Sequence, residues 1–272
     1  QSPPLILPLS LSYPMQQPII LITNDDSIDA KGLRYLVDRV SHLGKIYVVA
    51  PAAPHSGQSS AFTVNSPLSI HELPPYNGAE MRAVTGTPVD CVKLSMHHIL
   101  PRRPDILLSG VNHGSNAGNS AIYSGTMGAA FEGCMQGIPS VGYSLLHHSL
   151  AADFTECGPY ISDITARVLA EGLPEGVCLN INFPAKVKIE GMKVTRAARS
   201  HWTEEYQEYI SPHGKPFFWL TGHIVNEEPD ATDTDLYWLD RNYATTVPMR
   251  ADQNATSSIP AIATLLHTDA PR

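Results

Sequence analysis

The run Ile19-Ile20-Leu21-Ile22-Thr23-Asn24-Asp25-Asp26 constrains this chain more than any other segment. An uncharged, β-branched stretch of this length reads as a parallel strand buried on both faces. It ends abruptly on two adjacent carboxylates. Open α/β sheets place their ligand sites just beyond such strand ends. Two neighbouring carboxylates repel unless a cation, a donor network or a proton compensates. One reading is a hard-metal site with Asp25 and Asp26 as its anionic half. The other makes them a helix N-cap and first-turn acid ahead of residues 30–40, where both would also be favourable.

Further along, strands and helices alternate. Leu33, Leu36, Val37 and Val40 share one helical face within 30–43, and 46–50 reads as a second strand. A loop with Pro51, Pro54 and Gly57 follows, and 61–71 reads as a strand or extended arm. Gly86-Thr87-Pro88 opens a helix over 89–100. Asp105-Ile106-Leu107-Leu108-Ser109-Gly110 is a second buried-strand pattern, followed by a helix at 126–136, a strand at 139–145, a helix at 161–173 and a strand at 177–183. The pattern predicts an α/β fold: three layers around a mostly parallel sheet. After Pro184 the character changes, with strands expected at 192–198, 217–225 and 243–248, a polar, aromatic-bearing stretch at 201–215, and a closing helix at 259–266. The expected organisation is an N-terminal extension (1–14), a catalytic core (15–190), and a β-rich appendage (191–272) that partly returns to the core. The appendage would cover the site edge or make subunit contacts.

Composition narrows the partners. The formal charge is -8 and Lys and Arg form no dense block, which argues against duplex nucleic acid or an anionic membrane surface. A small phosphorylated ligand needs only a local positive site. Cys91, Cys134, Cys157 and Cys178 have no short zinc or redox spacing. They read as free thiols in a reducing cytosol, hence a cytoplasmic protein, with two disulfides in a secreted chain as the alternative. The first fourteen residues lack a basic n-region and carry Pro3, Pro4, Pro8 and Pro14, so they make a poor signal peptide. No segment is long and apolar enough to span a bilayer.

Three polar loops accompany the aspartates: 54–60, 109–119, and Tyr123-Ser124-Gly125-Thr126-Met127-Gly128. In a parallel sheet such loops emerge at one edge, so distant residues converge. Two carboxylates, a serine hydroxyl and an asparagine carbonyl form an oxygen-only donor set, which suits Mg2+ or Mn2+ rather than structural zinc. Asn112, Asn116 and Asn119 read equally as turn caps. Ser124-Gly125-Thr126 reads as a phosphate cradle at a helix start or as an ordinary N-cap. It is no Walker motif. Glu132 either orients a group at the loop edge or forms a local helix pair.

Taken in order, these residues resemble the SurE family of metal-dependent nucleotidases. The marks are Leu21-Ile22-Thr23-Asn24-Asp25-Asp26, Ser56-Gly57, Gly86-Thr87-Pro88 with Asp90-Cys91-Val92-Lys93, the 104–112 strand, Tyr123-Ser124-Gly125-Thr126, Ala129-Ala130 and Glu132-Gly133. Residues 17–145 carry the strongest likeness; a weaker one includes Asn180-Ile181-Asn182-Phe183-Pro184 and 232–235. The resemblance implies a Rossmann-like core and one divalent metal ion, Mg2+ or Mn2+, held by Asp25, Asp26, Ser56 and Asn112. It further implies catalysis by Asp25, Asp26, Asn116 and Ser124, with phosphate contacted by Asn116, Ser124, Gly125 and Thr126. It implies release of phosphate from nucleoside monophosphates at 5′ or 3′ positions, with some members acting on polyphosphate, and C-terminal elements that build homodimers or homotetramers.

Two departures stand out. Ser27 occupies a position where family members commonly carry glycine, so the turn after Asp26 is expected to differ. The family's usual Asp-Arg-Asn-Arg before the serine–glycine pair is replaced by Ala52-Ala53-Pro54-His55, which weakens anion attraction. His55 and His113 are candidate replacement contacts, or plain solvent-facing or supporting histidines. A metal hydrolase of another ester or glycosidic bond and a nonenzymatic metal–nucleotide binder are the alternative functions. A redox dinucleotide enzyme lacks its Gly-x-Gly-x-x-Gly.

Overall fold

Every residue of β1 (Ile19–Thr23) is buried. Ile20 and Ile22 face one apolar cluster and Leu21 faces another. A strand with two apolar faces needs a layer on each side, and the chain supplies both. The structure is a computed structural model that describes residues 17–149 and 151–269; the expected extension at 1–14 lies outside them.

On one side, α1 (Lys31–Val40) turns Leu33, Leu36, Val37 and Val40 inward beside α4 (Gly158–Glu171). On the other lie α2 (Pro88–Leu94) and α3 (Gly125–Met135), contributing Cys91, Val92 and Ala129. Between them run β2 (Lys45–Pro51), β3 (Ile70–Tyr76), β4 (Ala79–Val84), β5 (Ile106–His113), β6 (Ser140–Leu145), β7 (Cys178–Phe183), β8 (Met192–Val194) and β13 (Ala244–Met249). With β1 they form a nine-stranded sheet in the order β3-β4-β2-β1-β5-β6-β7-β13-β8. Neighbours from β4 to β7 are parallel; β3 and β13 enter antiparallel, and β8 runs parallel to β13. This is the expected three-layer, Rossmann-like α/β fold.

The order fixes where a ligand can bind. From β1 the chain winds to β2 on one side, whereas β5 flanks β1 on the other. The strand order therefore reverses between β1 and β5, and a crevice opens beyond their carboxyl ends. Asp25 and Asp26 follow β1 there, and Asn112 and His113 close β5. In this region the β5–β6 register shifts between Ser109 and Asn112, and the Gly110–Val111 peptide is cis.

Two stretches differ from expectation. Residues 61–69 form no strand; the chain instead makes a β3–β4 hairpin through Asn77 (φ 45) and Gly78 (φ 78). Asn-Gly is a strong hairpin signal, but Pro74 and Pro75 hid the strand before it. They are tolerated because β3 is an edge strand. The single strand expected at 217–225 is divided at Gly222 (φ 94). Its halves are β11 (Pro216–Leu220), which pairs with β10 (Tyr206–Ile210), and β12 (His223–Asn226), which pairs with β9 (Ser200–Thr203). The short α5 (Asp235–Leu239) and α6 (Ile259–Leu265) complete the C-terminal third. Among the described residues, no helix is long and apolar enough to cross a membrane.

Helix α1 reaches the crevice through a glycine. A Cβ on Gly32 would stand 2.0 Å from the Val111 carbonyl oxygen, beside Asn112. Gly32→Ala is expected to destabilise the fold by about 3 kcal/mol through overpacking against a backbone that cannot yield. Urea unfolding of the variant beside the parent measures it.

Candidate active site

Beyond β1, Asn24 makes the turn: its side-chain amide donates to the Ser27 carbonyl at 2.8 Å. Ser27 itself has φ 95, a left-handed conformation that suits glycine. The glycine-type turn is thus kept despite the serine, at a cost of about 1 kcal/mol or more. The capping reading of the aspartates fails. Helix α1 starts at Lys31 behind Ala30, with no side-chain cap and no acid in its first turn.

The two carboxylates are instead held by groups from remote elements. The Thr126 hydroxyl donates to Asp25 Oδ1 at 2.6 Å. The backbone N–H of His113 donates to Asp26 Oδ2 at 2.9 Å, and its ring Nδ1 lies 3.0 Å from the same oxygen. Burial, and then the Asp26 charge, push the Asp25 carboxyl up to about 6 against the lowering pull of the Thr126 hydroxyl. A carboxylate whose anion is this disfavoured gains from a cation. Among the described residues, no hydrogen bond ends on Asp26 Oδ1 or Asn112 Oδ1; the Asn112 amide nitrogen donates to the Gly114 carbonyl at 3.0 Å. Gly125 keeps the space beside Asp25 open: a Cβ there would stand 3.1 Å from Asp25 Oδ2.

The loop after β2 crosses the same place. His55 N–H donates to the Asp25 carbonyl at 2.8 Å, and exposed Ser56 follows it in the chain. Ser59 ties the loop to the third one, donating from its N–H to the Tyr123 carbonyl at 3.0 Å and from its hydroxyl to the Ile122 carbonyl at 2.6 Å. Gly128 permits this approach, since a Cβ on it would lie 2.2 Å from the Ser59 carbonyl oxygen. Behind the loop, the Thr87 hydroxyl donates to the Ala61 carbonyl at 2.7 Å. Buried Asp90 accepts from the Thr63 hydroxyl at 2.7 Å and from the Thr87 N–H at 2.9 Å.

Among the described residues, no three His, Cys, Asp or Glu side chains converge. Two carboxylates after β1 and the Asn112 amide oxygen at the end of neighbouring β5 are donors whose chemistry fits a hard divalent cation. Asn116 sits one loop away and is buried: its side chain donates to the Ser144 hydroxyl at 2.7 Å and its N–H to Asn182 Oδ1 at 2.9 Å. Asn180 donates to the Asn116 carbonyl at 2.8 Å. Ser124 is the N-cap of α3, accepting from Met127 N–H at 3.0 Å, so the capping reading holds for it. Thr126 is fully buried with its hydroxyl turned to Asp25.

Several side chains make contacts that match the plainer of their two readings. His113 is a buried partner of Asp26 rather than a substrate contact, with its ring edge-on to Phe154 at 5.2 Å. His55 stays on its own loop, 2.8 Å from Gln58 Oε1. Glu132 pairs with Lys93 at 2.9 Å and accepts from Gln136 at 3.1 Å; it touches the site only through Lys93, which lies over the Phe62 ring. Asn180 and Asn182 entered the sequence reading only through the weaker family likeness, with no role assigned, although two asparagines two apart in an apolar strand share one face and signal a buried polar network. Asp235 entered in the same way, through the likeness at 232–235.

Asp90 supplies a pH test. Burial alone would raise its carboxyl, but the donors from Thr63 and Thr87 outweigh it and hold the group below its ordinary value. The folded state then binds fewer protons than the unfolded chain in this range. Its contribution is complete above about pH 4 and is lost as pH falls through the depressed pKa. Asp90→Asn is expected to cost about 2 kcal/mol at pH 7, and that gap should shrink below pH 4. Paired thermal melts from pH 7 to 3 follow it.

Comparison with known proteins agrees with this geometry. The family model described as "Survival protein SurE" matches residues 20–204. The chain is 43% identical over 240 residues to 5'-nucleotidase SurE of Phocaeicola vulgatus, covering 88% of this chain and 93% of that one. It is 44% identical over 245 residues to 5'-nucleotidase SurE of Christiangramia forsetii, covering 88% and 94%. The crystal structure of the SurE protein from Aquifex aeolicus superposes with a TM-score of 0.78 at 33% identity, covering 92% of this chain and all of that one. With sequence, fold and the acidic strand end in agreement, this chain belongs to the SurE family.

Proposed function

We propose that this protein is a metal-dependent phosphomonoesterase that hydrolyses nucleoside monophosphates to nucleoside and inorganic phosphate. The observation that supports the reading is the pair of remote clamps on Asp25 and Asp26, from Thr126 and His113, at the carboxyl end of β1. Relatives carrying the name 5'-nucleotidase SurE support the substrate class.

Asp25, Asp26, Asn112 and Ser56 would hold one Mg2+ or Mn2+. Such an ion acidifies bound water, polarises the phosphoryl group and neutralises developing charge. Asp26 presents one oxygen while His113 fixes the other. The first turn of α3 offers N–H groups to phosphate oxygens from Gly125 and Thr126, with Asn116 and Ser124 flanking them. Because the Thr126 hydroxyl is engaged, its contribution to an anion is its backbone. Its side chain stiffens Asp25.

The test is a matrix of metals against nucleoside monophosphates, simple phosphomonoesters and polyphosphate, read as inorganic phosphate. Asp26→Asn should lower turnover at least about 100-fold while leaving the melting temperature near that of the parent. Near-normal phosphate release by the variant with added metal would sink the scheme. Tight nucleotide binding without product across all metals would favour the binding-protein alternative.

The same reading includes a homodimer or homotetramer. Phe218, Trp219 and Leu220 on β11 are each more than 60% exposed, as is Leu265 of α6. Apolar surface on this scale marks an association face. Sedimentation at micromolar concentration should show no monomer; a monomer there would refute it.

A further inference from the structure

The loop that carries Asn116 is fastened at its far end by the C-terminal third of the chain. Asp235 is completely buried, and among the described residues no Lys, Arg or His forms an ion pair with it. Its charge is met by three backbone N–H groups. Oδ2 accepts from Gly118 at 2.7 Å; Oδ1 accepts from Ala198 at 2.9 Å and Leu236 at 2.8 Å. A carboxylate at this depth costs heavily to bury unless such donors compensate it. One oxygen therefore organises the C-terminal segment itself, and the other reaches back to the loop.

A second contact runs beside the first. Ser200 Oγ accepts from Asn119 N–H at 3.0 Å, and the Asn119 side chain donates to the Ser200 carbonyl at 2.6 Å. Gly118 makes room for them: its φ is 57, and a Cβ on it would stand 2.5 Å from Ser200 Oγ. From the other side, Asn182 and Asn180 grip the N–H and carbonyl of Asn116. Apart from Ala117, whose N–H donates to Ser115 Oγ at 3.1 Å, the backbone N–H groups of Asn116, Gly118 and Asn119 and the Asn116 carbonyl are thus held by side chains at least 64 positions away in sequence.

We propose that Asp235 is a positioning residue for phosphate: through Gly118 it sets the backbone that presents Asn116, so the C-terminal segment tunes substrate affinity without touching substrate. The inference rests on the function proposed above for Asn116. It treats the acidic strand end as independent of this clamp, because Asp25 and Asp26 are held by Thr126 and His113 instead.

Asp235→Asn separates the two oxygens. With its remaining oxygen facing Ala198 and Leu236, the new amide nitrogen meets the Gly118 N–H, donor against donor. In the full-length protein, amide hydrogen exchange across residues 114–124 should accelerate about tenfold or more, with exchange in β1 and β5 unchanged. KM for a phosphomonoester should rise about tenfold while kcat stays within about threefold and Mn2+ affinity within about twofold. Unchanged exchange in 114–124, or a joint loss of kcat, Mn2+ affinity and melting temperature, would overturn the proposal. Should this variant fail to fold, Ser200→Ala replaces it, removing only the acceptor for Asn119. Faster exchange at 118–120 with raised KM supports the clamp, and unaltered exchange refutes it. If the parent releases no phosphate from any ester, the functional reading fails on its own. The exchange measurement and the affinity for inorganic phosphate then still decide the role of Asp235.

Discussion

Two like charges on consecutive residues at the end of a buried strand are the constraint around which this molecule is organised. Strand β1 leaves no water at its faces, so the Asp25–Asp26 repulsion has to be managed by neighbours. The fold brings one from each side of the topological switch: a hydroxyl from the start of α3 and an imidazole with its backbone N–H from the end of β5. Each satisfies one oxygen. What remains is a buried acidic pair whose ionised form positive charge would favour.

Much of the fold was legible because its signals are local. Buried strands read as apolar runs, α1 as a 3.6-residue stripe, and the start of α2 as Gly86-Thr87-Pro88; the structure adds a capping box closed by Asp90. The hairpin β3–β4 was missed because proline argues against a strand everywhere except at an edge, and edge position is a property of the whole sheet. The break at Gly222 was missed for a related reason: apolar runs on both sides of Thr221-Gly222-His223 conceal a change of partner from β10 to β9.

The site was legible where identity and position suffice. Asp25, Asp26, Asn112 and Asn116 were singled out from polar clusters following strands; the first two follow β1 and Asn112 ends the neighbouring β5, while Asn116 lies in the loop beyond it. Who holds whom was not legible. Whether Thr126 faces a phosphate or Asp25, and whether His113 faces solvent or Asp26, depends on contacts separated by 101 and 87 positions. Single-sequence patterning carries no information at that range. The one internal hint, asparagines at 180 and 182, lay in plain alternation on a strand otherwise apolar.

Helix α3 leaves almost no volume unclaimed. Gly125 abuts Asp25, Gly128 abuts Ser59, and a Cβ on Gly133 would fall 2.4 Å from Ser140 Oγ. A side chain added at any of these three glycines would displace that neighbour. Room lies elsewhere, on the surface, where Phe62, Ile122 and Tyr123 are each more than half exposed. In a scaffold built this way, close packing holds the inner face of the helix to the smallest residues, while those outer positions accept other side chains without disturbing it.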